Sequence, residues 1–178
     1  TLDPAEGTRK RPSAAPDDPA AYQEFVRNLV TRYSQMGVRT WAIENEVDAN
    51  NFWSGSPQDY VATVKLAAQA IRQADPSATI LDCGISSTGY GVAMAGELLD
   101  AGKAQEALAL YQAYYERRHD SGVSRFPVID SVEALRGLLQ EGRATRVRQM
   151  VAANFEAVNT AGVSAYQLHF YENPDLLP

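Results

Sequence analysis

Residues 39–53, RTWAIENEVDANNFW, hold an apolar run that stops abruptly in Glu44-Asn45-Glu46 and then passes through Asp48 to Phe52 and Trp53. Residues 38–45, VRTWAIEN, read as a short and nearly continuous apolar strand of the kind buried on both faces in a parallel sheet. A core strand has little reason to end in carboxylates packed so closely. Two explanations stand: the strand delivers an acid into a cleft, or it runs out into a solvated acidic loop. On composition alone the second is the plainer one.

The sequence on either side of this stretch alternates between helix and strand. Upstream, Asp18-Pro19 supplies an N-cap followed by proline in the first turn. Tyr22, Phe25, Val26, Leu29, Val30 and Tyr33 then recur at helical spacing up to about Gly37. Downstream, SPQD at 56–59 is a variant capping box, and Tyr60, Val64, Ala67 and Ile71 line one face of the helix it starts. Residues 79–85, TILDCGI, form a second buried-type strand that ends in the small polar loop SSTGYG. Two helices follow between Val92 and about Arg118, broken near DAGKAQ, and further helical sequence covers 131–162. A third strand, VSAYQLHFYENP, closes the series at 163–174. Residues 1–19, with four prolines, read as a loop.

Alternating helices and short apolar strands predict the α/β class, with parallel strands and helices packed outside them. In such folds the functional residues gather at the C-terminal edge of the strands. Asn45-Glu46 and the HFYEN stretch at 169–173 both fall there.

Bulk properties narrow the function. The 178 residues suffice for a single domain with its own core, and the hydrophobic fraction of 45% is ordinary for a globular protein. A formal charge of −6 argues against a nucleic-acid partner or an anionic membrane, both of which select clustered Lys and Arg. The basic run Arg9-Lys10-Arg11 sits in acidic, proline-rich surroundings and reads as solvated. Cys83 is the sole cysteine, so neither an intrachain disulfide nor a thiolate metal cluster is expected, and its apolar neighbours predict a buried, inert thiol. No ligand cluster or phosphate-cradling glycine loop implies a metal or organic cofactor. No apolar run reaches the roughly 18 residues that span a bilayer. The sequence assigns no cellular compartment.

A glutamic acid at a strand's exit can protonate a leaving oxygen when burial or a second carboxylate suits its ionisation to the task. Beside it, Asn45 is placed to hold a sugar hydroxyl, and Trp53 or Phe52 to lie under the apolar face of a sugar ring. His169 on an apolar strand and Tyr171 beyond it have bland alternatives as a core histidine and a rim aromatic. His119 reads as exposed and uninvolved.

The stretch WAIENEVDANNFWSGSPQDYVATVKLAAQAIRQADPSATILDCGIS resembles the fourth and fifth strand-helix units of the clan A glycoside hydrolases, the (β/α)8 retaining glycosidases. Residues 20–41, AAYQEFVRNLVTRYSQMGVRTW, are similar to the preceding helix of cellulase-like and xylosidase-like members, and YQLHFYENP resembles their sixth strand. The likeness covers most of the chain apart from the helical segment at about 90–155. It implies a partial TIM barrel, a carbohydrate substrate and no cofactor. Carried over by position, it implies Glu46 as general acid/base, Asn45 as a contact to the sugar 2-hydroxyl, His169 and Tyr171 as cleft residues, and Trp53 as a platform.

Retention requires a second carboxylate about 5–5.5 Å from the first, acting as nucleophile. In the resembled family it ends a seventh strand, which has no counterpart here, so the chain is expected to be an internal fragment of a longer enzyme. Glu172 is a poor substitute, and nothing in the sequence ties Asp82 to catalysis. Two other readings remain: a carbohydrate-binding barrel without catalysis, and a different α/β enzyme in which Glu46 is structural.

Overall fold

A computed structural model describes residues 12–116, 127 and 129–170. Within them the chain runs α1 (Pro19–Ser34), β1 (Thr40–Ala42), α2 (Pro57–Ala74), β2 (Thr79–Leu81), β3 (Ile85–Ser86), α3 (Ser87–Asp100), α4 (Ala104–Glu116), α5 (Val132–Gln140), α6 (Gly142–Ala161) and β4 (Leu168–His169). The expected α/β class, with a partial TIM barrel as its framework, is overturned. The described residues are mostly helical, and their strands form two separate two-stranded parallel sheets, β1-β2 and β3-β4.

The physical reason lies in how early each strand stops. β1 ends at Ala42 because Glu44 (φ 64°) and Glu46 (φ 41°) leave the extended region. TILDCGI does not run through as one strand, because Gly84 at φ 64° turns the chain between β2 and β3. Nor is β1 buried on both faces: with one partner strand, Thr40 and Ala42 are exposed.

The chain divides into two compact units, Thr1–Gly84 with Ala152–Gln167, and Ile85–Val151 with Leu168–Pro178. In the first, α1 packs on α2. Asp18 caps α1 as expected, its side chain accepting the N–H groups of Ala20 and Ala21 at 3.0 Å. Ser56 and Asp59 form the capping box of α2. Val26 and Val30 of α1, and Tyr60, Val64, Ala67 and Ile71 of α2, are buried together with Ile80 of β2. In the second unit α3 packs on α4 and α5, and Tyr111, Leu135 and Met150 are fully buried. Here SSTGYG is no loop: Ser86 caps α3 by accepting the N–H of Gly89, and the residues after it form the helix's first turn.

Asp75 fastens the base of the first unit. Its carboxylate accepts from the Ser77 hydroxyl at 2.6 Å and backbone N–H at 3.0 Å, and from Arg39 at 2.9 Å. The Ser77 hydroxyl first, then its backbone N–H and the Arg39 guanidinium, hold the carboxyl down from an ordinary 3.8 to about 2. A depressed carboxylate stabilises the fold above its unfolded pKa and loses that contribution as pH falls through the folded value. Asp75→Asn is therefore expected to lower stability at neutral pH, the deficit closing between about pH 4 and pH 2. Urea unfolding of both proteins across that range measures it; a deficit unchanged with pH would refute the assignment.

Candidate functional site

The exit of β1 departs from regular pairing by one residue. The Ile43 N–H donates to the Leu81 carbonyl at 3.2 Å, and the next tie to the same neighbour is the Glu46 N–H to the Cys83 carbonyl at 2.8 Å. Three steps along one chain thus match two along the other, the one-residue excess of a bulge, which bends a strand and re-aims its side chains. Glu44 and Glu46 absorb the excess in left-handed conformations, each costing about 1–2 kcal/mol relative to the right-handed backbone. Such outliers persist only where the surroundings fix them, and they cluster at functional sites.

The bulge sorts its three residues sharply. Asn45 is exposed, while Glu46 is only 6% exposed and Glu44 is half-buried. Beyond it the chain curls: the Ala49 N–H donates to the Glu46 carbonyl at 2.8 Å, and the Phe52 and Trp53 N–H groups both reach the Ala49 carbonyl. Asp48 is buried at 7% exposure. Ser13 lies across this loop, donating its N–H to the Phe52 carbonyl at 2.7 Å and accepting the Ser54 N–H at 2.8 Å. Burial raises the Glu44 carboxyl above the usual range, and a hydrogen bond from Ser13 pulls it partly back. Tyr22 on α1 is pushed up to about 12, by burial first and by the Glu44 charge second.

At the end of β2 the polar groups satisfy one another. Asp82, fully buried, accepts from Asn154 Nδ2 at 2.6 Å, from the Gln167 N–H at 2.7 Å and from the Gly84 N–H at 3.3 Å. Asn154 Oδ1 accepts the Tyr60 hydroxyl at 2.7 Å and the Cys83 thiol at 3.5 Å. Cys83 is 1% exposed, and burial is the main cause pushing its thiol up to about 12. The burial expected from its apolar neighbours is thus found. Asp82 is committed to packing, and Asn154, at the heart of the cluster, carries no signal in its own stretch of sequence.

The remaining residues expected at the site are distributed as follows. Trp53 is fully buried, its indole edge-on to Tyr60 at 5.9 Å and its Nε1 donating to the Ser56 carbonyl at 3.3 Å. A sugar platform needs an open ring face, and Trp53 offers none; Phe52 is 38% exposed. His169 belongs to the second unit, half-buried in β4 and in register with Ser86 of β3. Tyr171, Glu172 and His119 lie outside the described residues. Sequence reasoning passed over Glu44, whose left-handed backbone and raised carboxyl mark it as a second unusual acid in the bulge. Among the described residues no group of three or more His, Cys, Asp and Glu could hold a metal ion, and no helix is long and apolar enough to cross a membrane.

No protein-family model, curated protein or solved structure matches the chain.

Proposed function

We propose that the chain belongs to a retaining glycoside hydrolase acting on O-glycosidic bonds of an oligo- or polysaccharide, with Glu46 as its general acid/base. The observation that carries this reading is the bulge: it spends backbone strain to bury one carboxyl, Glu46, while setting the neighbouring amide, Asn45, outward. Strain of that kind has no evident use in a solvated acidic loop, which would leave both carboxyls in water. The reading draws on this local geometry and on the resemblance of residues 39–53 to the acid/base strand of the retaining glycosidases; a barrel forms no part of it.

The chemistry follows in two balanced steps. Glu46 gives its proton to the glycosidic oxygen as a second carboxylate attacks the anomeric carbon. The carbon–oxygen bond to the leaving sugar breaks, and a glycosyl ester forms. Water then attacks the same carbon, its proton passing to the Glu46 carboxylate, and the ester carboxylate departs. The acid is regenerated and the configuration is restored by double inversion. In this reading Asn45, exposed beside the acid, donates to a sugar hydroxyl, and the exposed Phe52 supplies an aromatic ring for the sugar to rest on. The enclosure of Trp53 removes the platform on which a reading of sugar binding alone would lean.

The test is turnover of aryl β-glycosides by the full-length protein, with the anomeric configuration of the first product followed by NMR. The expected outcome is release of the phenol with retention. Inversion, or no turnover across a panel of sugars, would discard the reading.

A further inference from the structure

Phe52 carries an exposed ring on a fixed backbone. Its N–H donates to the Ala49 carbonyl at 2.9 Å and its carbonyl accepts the Ser13 N–H at 2.7 Å, so both main-chain groups are held. The next residue differs sharply: Trp53 is fully buried, whereas Phe52 is 38% exposed. Ser13 belongs to a short segment before α1 that meets this loop in a parallel bridge with Trp53. Its carbonyl accepts the Ser54 N–H at 2.8 Å and the Ser54 hydroxyl at 3.1 Å. The segment is stiff and tethered. Pro12 and Pro16 restrict its backbone, and two residues past Pro16 the side chain of Asp18 caps α1. Two successive turns, 46–49 and 49–52, each with its ends within about 7 Å, keep Phe52 within about 14 Å of Glu46.

We propose that residues 12–16 are a strap that positions Phe52, attached through the Ser13 N–H, so that the ring is set in place before a sugar chain binds. The inference rests on the sugar contact given to Phe52 above. A group ordered in advance costs less to immobilise when its ligand arrives. Without the Ser13 donor the Phe52 carbonyl loses its partner, and the ring must be ordered by the substrate instead. A contact of this kind is made alike in the ground state and the transition state. Its loss therefore appears in KM and leaves kcat in place.

The probe is the phenyl β-glycoside of a disaccharide that the full-length protein turns over fastest. Phe52→Ala is expected to raise KM on it about tenfold, the loss of one well-placed aromatic contact. Ser13→Pro deletes the attaching N–H, as no other substitution there does, and is expected to raise KM about fivefold. Ser13→Ala, which keeps the N–H, returns KM toward the parent value. The deciding measurement is the pair: a strap that works through the ring adds nothing once Phe52 is replaced by alanine. Increases that multiply in the double variant, or a parent-like KM in Ser13→Pro, overturn the strap. Ser54→Ala loses only the hydroxyl bond to the strap and carries the same paired test, with a smaller increase, should the proline variant fail to fold. An unchanged KM in Phe52→Ala overturns the ring's sugar contact and the strap with it. Glu46→Gln is measured alongside, by the ratio of kcat/KM on 2,4-dinitrophenyl and phenyl leaving groups. That ratio rises there and holds in the Phe52 and Ser13 variants. A flat ratio in Glu46→Gln overturns the acid role alone, whereas a rise in Ser13→Pro overturns the strap's action through the ring.

Discussion

Glu46→Gln in the full-length protein is expected to lower kcat on a phenyl β-glycoside by about 10²- to 10⁴-fold, the usual worth of a positioned general acid. The amide keeps the volume of the side chain and can occupy the same buried place, so the bulge and its ties to Leu81 and Cys83 have no reason to move. What it loses is the transferable proton. KM should therefore change little, since the interaction removed is one made in the transition state and not in the ground state. Unchanged turnover on the phenyl substrate would remove Glu46 from the mechanism.

Asn154→Ala is expected to be the most damaging single change to the fold of the first unit, at about 3–5 kcal/mol. The side chain is fully buried and serves several partners at once. Without it, Asp82 loses its shortest contact, at 2.6 Å, and the Tyr60 hydroxyl loses the acceptor it meets at 2.7 Å, both where water does not reach. Stranding a buried acid and a buried hydroxyl together costs their desolvation as well as the bonds, a large share of the 5–15 kcal/mol or so that holds a typical domain folded. Asn154→Asp is nearly isosteric yet sets a second carboxyl against Asp82, so that pair must share a proton and its stability should fall as pH rises. Urea denaturation followed by circular dichroism gives both numbers. A loss under about 1 kcal/mol for the alanine variant would show that the amide is not the keystone assigned here.

The helices of the first unit could be read directly from the sequence, because their caps are local. Asp18 before Pro19, and Ser56 with Asp59 three residues on, state where α1 and α2 begin without reference to anything distant. The strands could not, and the fold class was misread with them. The apolar runs at 38–45 and 79–85 have the composition of buried strands, but length depends on backbone conformation that side-chain hydrophobicity does not report. Gly84 within TILDCGI was a usable sign of a break. Glutamates at positive φ gave none, since nothing in the residue type favours that conformation.

The site was legible to a similar depth. The buried acid beside an exposed amide is where the sequence pattern drew attention, but which of the two glutamates would be enclosed depended on a bulge set by Leu81 and Cys83, some 40 residues away. Asn154 was invisible because it is an ordinary polar residue on a helix until its neighbours in space are known. Trp53 was ambiguous in the other direction. An indole after a polar loop suits a binding platform and a core plug equally well, and only its packing on Tyr60 decides between them.

Gly55 sets a limit on how this chain can drift over generations. A methyl group there would stand 2.9 Å from the Trp53 ring, a rigid bicycle that cannot fold away like the tip of a lysine. Mutations at position 55 thus evict the indole before they touch solvent, and variants from the same ancestor should tolerate change along the rest of the loop sooner than at this one place.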